Sequence, residues 1–264
     1  MSAEGPLTRL RGRARLGARA AAIAAMTVAK YAHCEFDERR APDPEARRRT
    51  TDEHVRRWAR MVLRTIGVEL HIEGTVPAPP RGPRLVVSNH RTALDIPVLL
   101  SLFGGSILSR GDIADWPLLG ASAKKGGTIF VDRSDPRSGA KAIRAIRAKL
   151  VENGCVSLFP EGTTFAGDEV RPFQPGSFIS ARGLDCELIH VGLAYPPGTE
   201  FIEDDFADHM ANVASRRRLV VGVAIGDGRP MDGAPRVVAP RSHDEVQALV
   251  HRARELATGP AASR

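Results

Sequence analysis

Leu85-Val86-Val87-Ser88-Asn89-His90-Arg91-Thr92-Ala93-Leu94-Asp95-Ile96-Pro97 is the stretch on which the chain turns. The apolar run Leu85 to Val87 predicts a buried strand, and the apolar residues from Ile96 to Phe103 predict a helix. His90 and Asp95 therefore sit where a strand hands over to a helix, and with Asn89 they spell NHxxxxD. A carboxylate on one imidazole nitrogen fixes the tautomer and stabilises the imidazolium that forms when the other nitrogen takes a proton. Five residues exceed the spacing of helical neighbours, so a turn into the helix has to close the gap.

The same strand-then-polar pattern recurs along the chain. Val68 to Glu73 alternates like a strand, and Pro77 to Pro83 reads as a loop. Ser106 to Ser109 and Thr128 to Val131 are predicted strands, the second followed by Asp132-Arg133. Cys155 to Phe159 runs into Pro160-Glu161-Gly162-Thr163-Thr164, and Glu187 to Tyr195 and Leu219 to Ile225 complete the set. Between them, Asp135-Pro136 opens a helix with an Ile143, Ile146, Leu150, Val151 stripe, stopped by Asn153-Gly154. A short helix starts near Pro175-Gly176-Ser177. Ser242 to Glu245 reads as a capping box for a last helix carrying Val246, Leu249, Val250 and Leu256. Residues 200–217 read as a charged excursion. This alternation predicts an α/β fold: a mostly parallel central sheet flanked by helices, with an N-terminal basic amphipathic helical extension.

In an open α/β sheet the strand ends on one edge line the ligand crevice. That gathers His90 and Asp95, Arg133, and the turn Glu161-Gly162-Thr163 in one place. Arg133 offers a planar fork suited to a phosphate. Gly162 lets backbone N–H groups approach an anion closely. GxSxG is absent, so no recognisable motif sets a serine nucleophile beside His90, and the imidazole is expected to deprotonate a substrate hydroxyl directly.

Composition bounds the rest. The 264 residues are 42% hydrophobic and carry a net charge of +7, which favours an anionic partner. Aromatics at 5% argue against a base-stacking nucleic-acid binder. The three cysteines show no CxxC spacing and none of the eight histidines shows metal-ligand spacing, so no metal site is expected. Cys155 and Cys186 fit small buried hydrophobes. Ala20 to Ala29 is too short an apolar run to span a bilayer; it fits an interfacial helix flanked by arginines, with a signal peptide as the rival. Residues 36–49, with Pro42 and Pro44, read as a linker, and Thr50 or Thr51 as the cap of the next helix. Val55, Trp58, Ala59, Val62, Leu63 and Ile66 form its apolar stripe. Arg56, Arg57, Arg60 and Arg64 cover the remainder, consistent equally with a solvated face and with lipid contact. The expected organisation is a membrane-associating helical segment over 1–66, an α/β domain over 67–257, and a disordered tail over 258–264.

Residues 89–95 resemble the NHxxxxD motif of the glycerolipid acyltransferases, the 1-acylglycerol-3-phosphate (lysophosphatidate) acyltransferase group. Gly127 to Arg133 resembles the second motif of that family, Phe159-Pro160-Glu161-Gly162-Thr163 matches its FPEGT element, and Phe173-Gln174-Pro175-Gly176-Ser177 resembles the element that follows. Leu188 to Tyr195 stands where its fourth motif belongs. The resemblance runs from Leu85 to Tyr195. Three positions depart from the pattern: Thr164 where an arginine is usual, His190 where a proline is common, and Arg110 where a lysine is frequent.

What the resemblance implies is acyl transfer from acyl-CoA or acyl carrier protein to a lysophospholipid hydroxyl, without metal or cofactor. His90 and Asp95 would be catalytic. Asn89, Arg110, Arg133, Glu161, Gly162 and Thr163 would contact substrate, with Arg171 a further source of positive charge. The enzyme would sit peripherally or monotopically on the cytoplasmic face of an anionic membrane. Lysophosphatidate is the default acceptor. Lyso-ornithine lipid, other lysophospholipids and glycerol-3-phosphate remain open, as does thioester hydrolysis; a non-catalytic membrane- or nucleic-acid-binding module would be expected to break the motifs, which are intact.

Overall fold

The structure, a computed structural model, describes residues 6–79, 82–115, 119–132, 135, 137–152, 154–202 and 205–258, with only the backbone of residues 6–10, Arg110, Asp112 and Leu119. Two long helices lead, α1 (Pro6–Glu38) and α2 (Pro44–Ile66), followed by β1 (Val68–Glu73), β2 (Arg84–Ser88), α3 (Asp95–Phe103) and β3 (Ser106–Arg110). Then come α4 (Leu119–Lys125), β4 (Ile129–Val131), α5 (Ser138–Val151), β5 (Cys155–Leu158) and β6 (Glu187–Ala194). The chain closes with α6 (Phe206–Ser215), β7 (Leu219–Ile225), β8 (Arg229–Pro230) and α7 (Pro235–Thr258). Single 3-10 turns cover Gly111–Asp115 and Pro175–Ala181.

The strands form one sheet in the order β1-β7-β6-β2-β5-β3-β4, with β8 on β6. It is mostly parallel, as expected; β7 and β8 run antiparallel to β6, and β1 follows β7. β2 lies at its centre and is buried on both faces, which is why it reads as an unbroken apolar run rather than an alternation. Val86 points into one core with α2, α3 and Tyr195. Leu85 and Val87 point into the other, with Ile146 and Leu150 of α5 and Val246 and Val250 of α7. β5 is in parallel register with β2, Val87 opposite Leu158, so the residues following both strands emerge side by side.

Four expectations need correction. α2 starts at Pro44 with the Asp43 side chain accepting from Ala46 N at 2.7 Å, so Thr50 and Thr51 lie inside the helix. Pro at the first helical position loses no hydrogen bond and presets φ, a stronger start signal than the threonines. α7 starts at Pro235 and continues through Pro240, so the Ser242 box is internal: the Ser242 hydroxyl bonds His190 Nε2 at 2.9 Å instead of capping. The excursion contains α6, capped by the Asp205 side chain at Ala207 N and Asp208 N. Finally, α5 opens at Ser138. Pro136, Asn153 and the tail from 259 fall outside the described residues.

The arginines of the first two helices are turned inward more than their number suggests. Arg15 donates to Ser215 O, and Arg19 to Ala214 O and Arg216 O, at the C-terminus of α6. Arg56 and Arg60 donate to Phe103 O and Ser101 O at the C-terminus of α3. Cations at helix C-termini complete carbonyls that the helix leaves unpaired and oppose its dipole. Trp58 donates to Thr27 on α1 at 3.0 Å. α2 is thus packed on its own domain, while α1 still exposes Val28, Tyr31 and Phe36. No helix among the described residues is long and apolar enough to cross a membrane. All three cysteines are free and buried, and burial pushes the Cys155 and Cys186 thiols up to about 12.

α7 crosses the sheet so closely that glycine is required beneath it. A Cβ on Gly222 would stand 1.8 Å from Ala253 O, a contact with backbone that no rotamer can relieve. Gly222→Ala is expected to cost on the order of 2–3 kcal/mol, lowering the melting temperature by roughly 5–10 °C in a thermal denaturation scan.

Candidate active site

His90 leaves the C-terminal end of β2, and the chain then wraps around a single carboxylate. Asp95 Oδ2 accepts from His90 Nδ1 at 2.7 Å, Arg91 N at 2.6 Å and Thr92 N at 3.0 Å. The loop closes the five-residue gap because its backbone amides turn inward to the helix's first side chain. Asp95 is fully buried, and His90 is 17% exposed. With Nδ1 committed to Asp95, the tautomer leaves Nε2 as the proton-accepting edge. Among the described residues Nε2 has no hydrogen-bond partner. The imidazole lies flat on the Phe159 ring, centroids 4.0 Å apart and planes 8° from parallel. This stack follows from the β2–β5 register, and only the pairing of the strands reveals it.

The second motif turn meets the first from beneath. Glu161 Oε1 accepts from His90 N at 2.7 Å and Arg91 Nη1 at 2.8 Å, and Oε2 accepts from Arg171 N at 2.8 Å. Arg91 is itself buried and donates onward to Gly167 O, His90 O and Glu169 O. Glu161, expected to contact substrate, has its carboxylate enclosed, and its oxygens brace the His90 loop. Asn89 is turned inward likewise. Its amide donates to Leu193 O at 2.9 Å and accepts from Leu193 N at 2.8 Å, sewing the loop to β6. Gly162, at φ +82°, closes its own turn by donating to Phe159 O at 3.1 Å. Thr163 is exposed at the mouth of this turn. Arg110 ends β3, next to β5, with only its backbone described. Arg133 lies outside the described residues. Arg171 is exposed, its guanidinium over Phe165 at 5.3 Å.

Two further residues flank the loop, and one of them, His209, belongs to no motif. His209 of α6 takes the Thr92 hydroxyl at 2.9 Å and Ala93 N at 3.3 Å on Nε2, holding the outer side of the loop. Tyr195, at the end of β6, is buried beside Asp95; burial first, then the neighbouring carboxylate, pushes its phenol well up. His190 is the satisfied core histidine expected of it on one edge only, bonding Ser242. His33, Asp37 and His54, which show no metal spacing in sequence, converge at the α1–α2 hairpin, because His54 comes from a second helix that sequence spacing cannot place.

Residues 67–194 match the model of the Acyltransferase family. The chain is 32% identical over 152 residues to the 1-acyl-sn-glycerol-3-phosphate acyltransferase of Neisseria meningitidis serogroup B, a match covering 58% of each. It is 29% identical over 206 residues to the lyso-ornithine lipid O-acyltransferase of Pseudomonas aeruginosa, covering 74% of this chain and 77% of that protein. The first of these matches thus spans little more than half of the relative's length. A crystal structure of the 1-acyl-sn-glycerophosphate (LPA) acyltransferase PlsC from Thermotoga maritima superposes with a TM-score of 0.71 at 16% identity, over 93% of this chain and 97% of that one, and establishes the fold.

Removing one partner of a buried ion pair strands the other charge, at about 3–5 kcal/mol. Glu161→Ala is expected to lower the melting temperature by roughly 8–15 °C, whereas a purely substrate-contacting Glu161 would leave melting unchanged. His209 supplies a pH test. Burial lowers its pKa from the ordinary 6.5, offset in part by Asp95. The unfolded chain then takes up a proton at higher pH than the folded one, so stability falls as pH drops through the ordinary histidine range. Between pH 7.5 and 5.5, wild type should lose more melting temperature than His209→Gln does.

Proposed function

We propose that the chain is a glycerolipid acyltransferase, as its match to the Acyltransferase family model over residues 67–194 and its likeness to lysophospholipid acyltransferases support, and that it transfers a fatty acyl group from an acyl thioester to the free hydroxyl of a lysophospholipid. The observation that carries this reading is the His90–Asp95 pair at 2.7 Å, with Nε2 unengaged, just past the C-terminal end of β2. The donor is acyl-CoA or acyl carrier protein. His90 Nε2 takes the acceptor's hydroxyl proton as the oxygen attacks the thioester carbonyl. The C–O bond forms, the carbonyl electrons move onto oxygen, and collapse of the tetrahedral adduct expels the thiolate, which recovers the proton from the imidazolium. Asp95 holds the imidazole's tautomer and balances its transient charge. General-base help of this kind supplies about 10²–10⁴-fold. Phe159 keeps the ring from rotating out of line.

The acceptor proposed first is 1-acylglycerol-3-phosphate, giving phosphatidate, with the role of holding its phosphate assigned to Arg133 and the Glu161-Gly162-Thr163 turn and that of stabilising the oxyanion to backbone amides or Arg110. One observation favours a second acceptor. The match to the lyso-ornithine lipid acyltransferase runs through more of this chain than the match to the lysophosphatidate enzyme, 74% against 58%. Thr164, whose hydroxyl is turned onto Phe201 O, also supplies no positive charge after the FPEGT turn. We place the protein peripherally on an anionic cytoplasmic leaflet, with the exposed Val28, Tyr31 and Phe36 of α1 against lipid.

Purified protein given acyl-CoA or acyl carrier protein and, separately, lysophosphatidate, lyso-ornithine lipid and glycerol-3-phosphate is expected to yield an acylated product by lipid mass spectrometry. His90→Ala should cut kcat by about 10²–10⁴-fold, and Asp95→Asn should lower kcat with KM little changed. Thiol release independent of any acceptor would identify a thioester hydrolase instead.

A further inference from the structure

We infer that His33, Asp37 and His54 form a binding site for a divalent transition-metal ion, with Zn²⁺ the best match, fastening α1 to α2. His33 and Asp37 stand one turn apart on the same face of α1, and His54 faces them from α2. Both imidazoles aim Nε2 at the same carboxylate oxygen: Asp37 Oδ2 is 2.8 Å from His54 Nε2 and 3.4 Å from His33 Nε2. All the donor atoms lie within 4.8 Å of one another. A tetrahedral ion with bonds of 2.0–2.1 Å needs ligand atoms about 3.3 Å apart. One pair already has that separation, the second must open by about half an ångström, and the third closes by a rotation of His33. That side chain is free to rotate, being 54% exposed, whereas His54 is buried and preset.

The donor chemistry sets the ion class. Two imidazoles and one carboxylate suit Zn²⁺ and its neighbours, and disfavour Mg²⁺ and Ca²⁺, which demand oxygen. The exposed side leaves a fourth position for water. The carboxylate is also kept available. Among the described residues Asp37 has no lysine or arginine within ion-pair distance, while its neighbours Glu35 and Glu38 both take Lys125 of α4. The site shares no residue with the His90 crevice. Its consequence is mechanical: α1, which carries the exposed apolar face, would be joined to α2 by metal–ligand bonds as well as by packing.

The test uses full-length, tag-free protein stripped with EDTA and dialysed, titrated with ZnCl₂ by calorimetry and melted with and without the ion. One equivalent should bind in the micromolar range or tighter and raise the melting temperature, since an ion that binds only the folded chain stabilises it. His33→Ala, on the exposed side, should melt like wild type in EDTA yet bind Zn²⁺ at least tenfold more weakly and lose the zinc-dependent rise; Asp37→Asn should lose affinity further. His54→Ala is set aside as the decisive variant because that ring is buried. No one-to-one binding tighter than about 100 µM, or an affinity unchanged in both His33→Ala and Asp37→Asn, would overturn the assignment.

Discussion

A buried carboxylate between two strand ends organises this protein. Glu161 lies in the turn after β5, and its oxygens take the His90 amide, the Arg91 guanidinium and the Arg171 amide. The charge of Arg91 is matched, and its remaining donors are satisfied by carbonyls of His90, Gly167 and Glu169. Such a pair survives burial only when every donor and lone pair is occupied. Here the occupancy also dictates where His90 points. The second carboxylate, Asp95, works from the other side, gathering the ring and two backbone amides. The imidazole is therefore held through its backbone by one acid and through its ring by another, with Phe159 beneath its face.

This arrangement divides labour within the motifs. Of the residues that resemble a substrate-binding set, Asn89 and Glu161 spend their polar atoms inside the protein. They act on chemistry by rigidity, holding the base within hydrogen-bond geometry of Asp95. His209 on α6, outside every motif, and Tyr195 at the end of β6, where the fourth motif falls, complete the shell around the loop. The exposed surface left for ligand is the Nε2 edge of His90, Thr163, and the ends of β3 and β4.

The basic character of the chain is likewise shared between two uses. Arg15, Arg19, Arg56 and Arg60 close the carbonyl ends of α6 and α3. They fasten the helical hairpin to the α/β domain, so the net positive charge overstates what is available to an anionic surface. The apolar residues Val28, Tyr31 and Phe36, left outward on α1, are what such a surface would meet.

Strand positions were legible in the residues themselves, since a strand buried on both faces, such as β7, must be apolar throughout and a half-exposed one, such as β1, alternates; both match their expected limits to the residue. NHxxxxD and FPEGT were legible for the same local reason, a short polar run after such a strand. Helix starts were less so: proline at a first turn outweighed threonine and serine caps, and α6, ten residues long, is too short to announce itself. What only tertiary structure decided is which polar atoms face inward. Glu161 and Asn89 look like ligands along the chain, but a carboxylate or amide is consumed by whichever partner lies within about 3 Å, and those partners, on β2 and β6, are neighbours only in the folded sheet. The same holds for His54, which joins His33 and Asp37 across two helices, and for Phe159, brought under His90 by strand register alone.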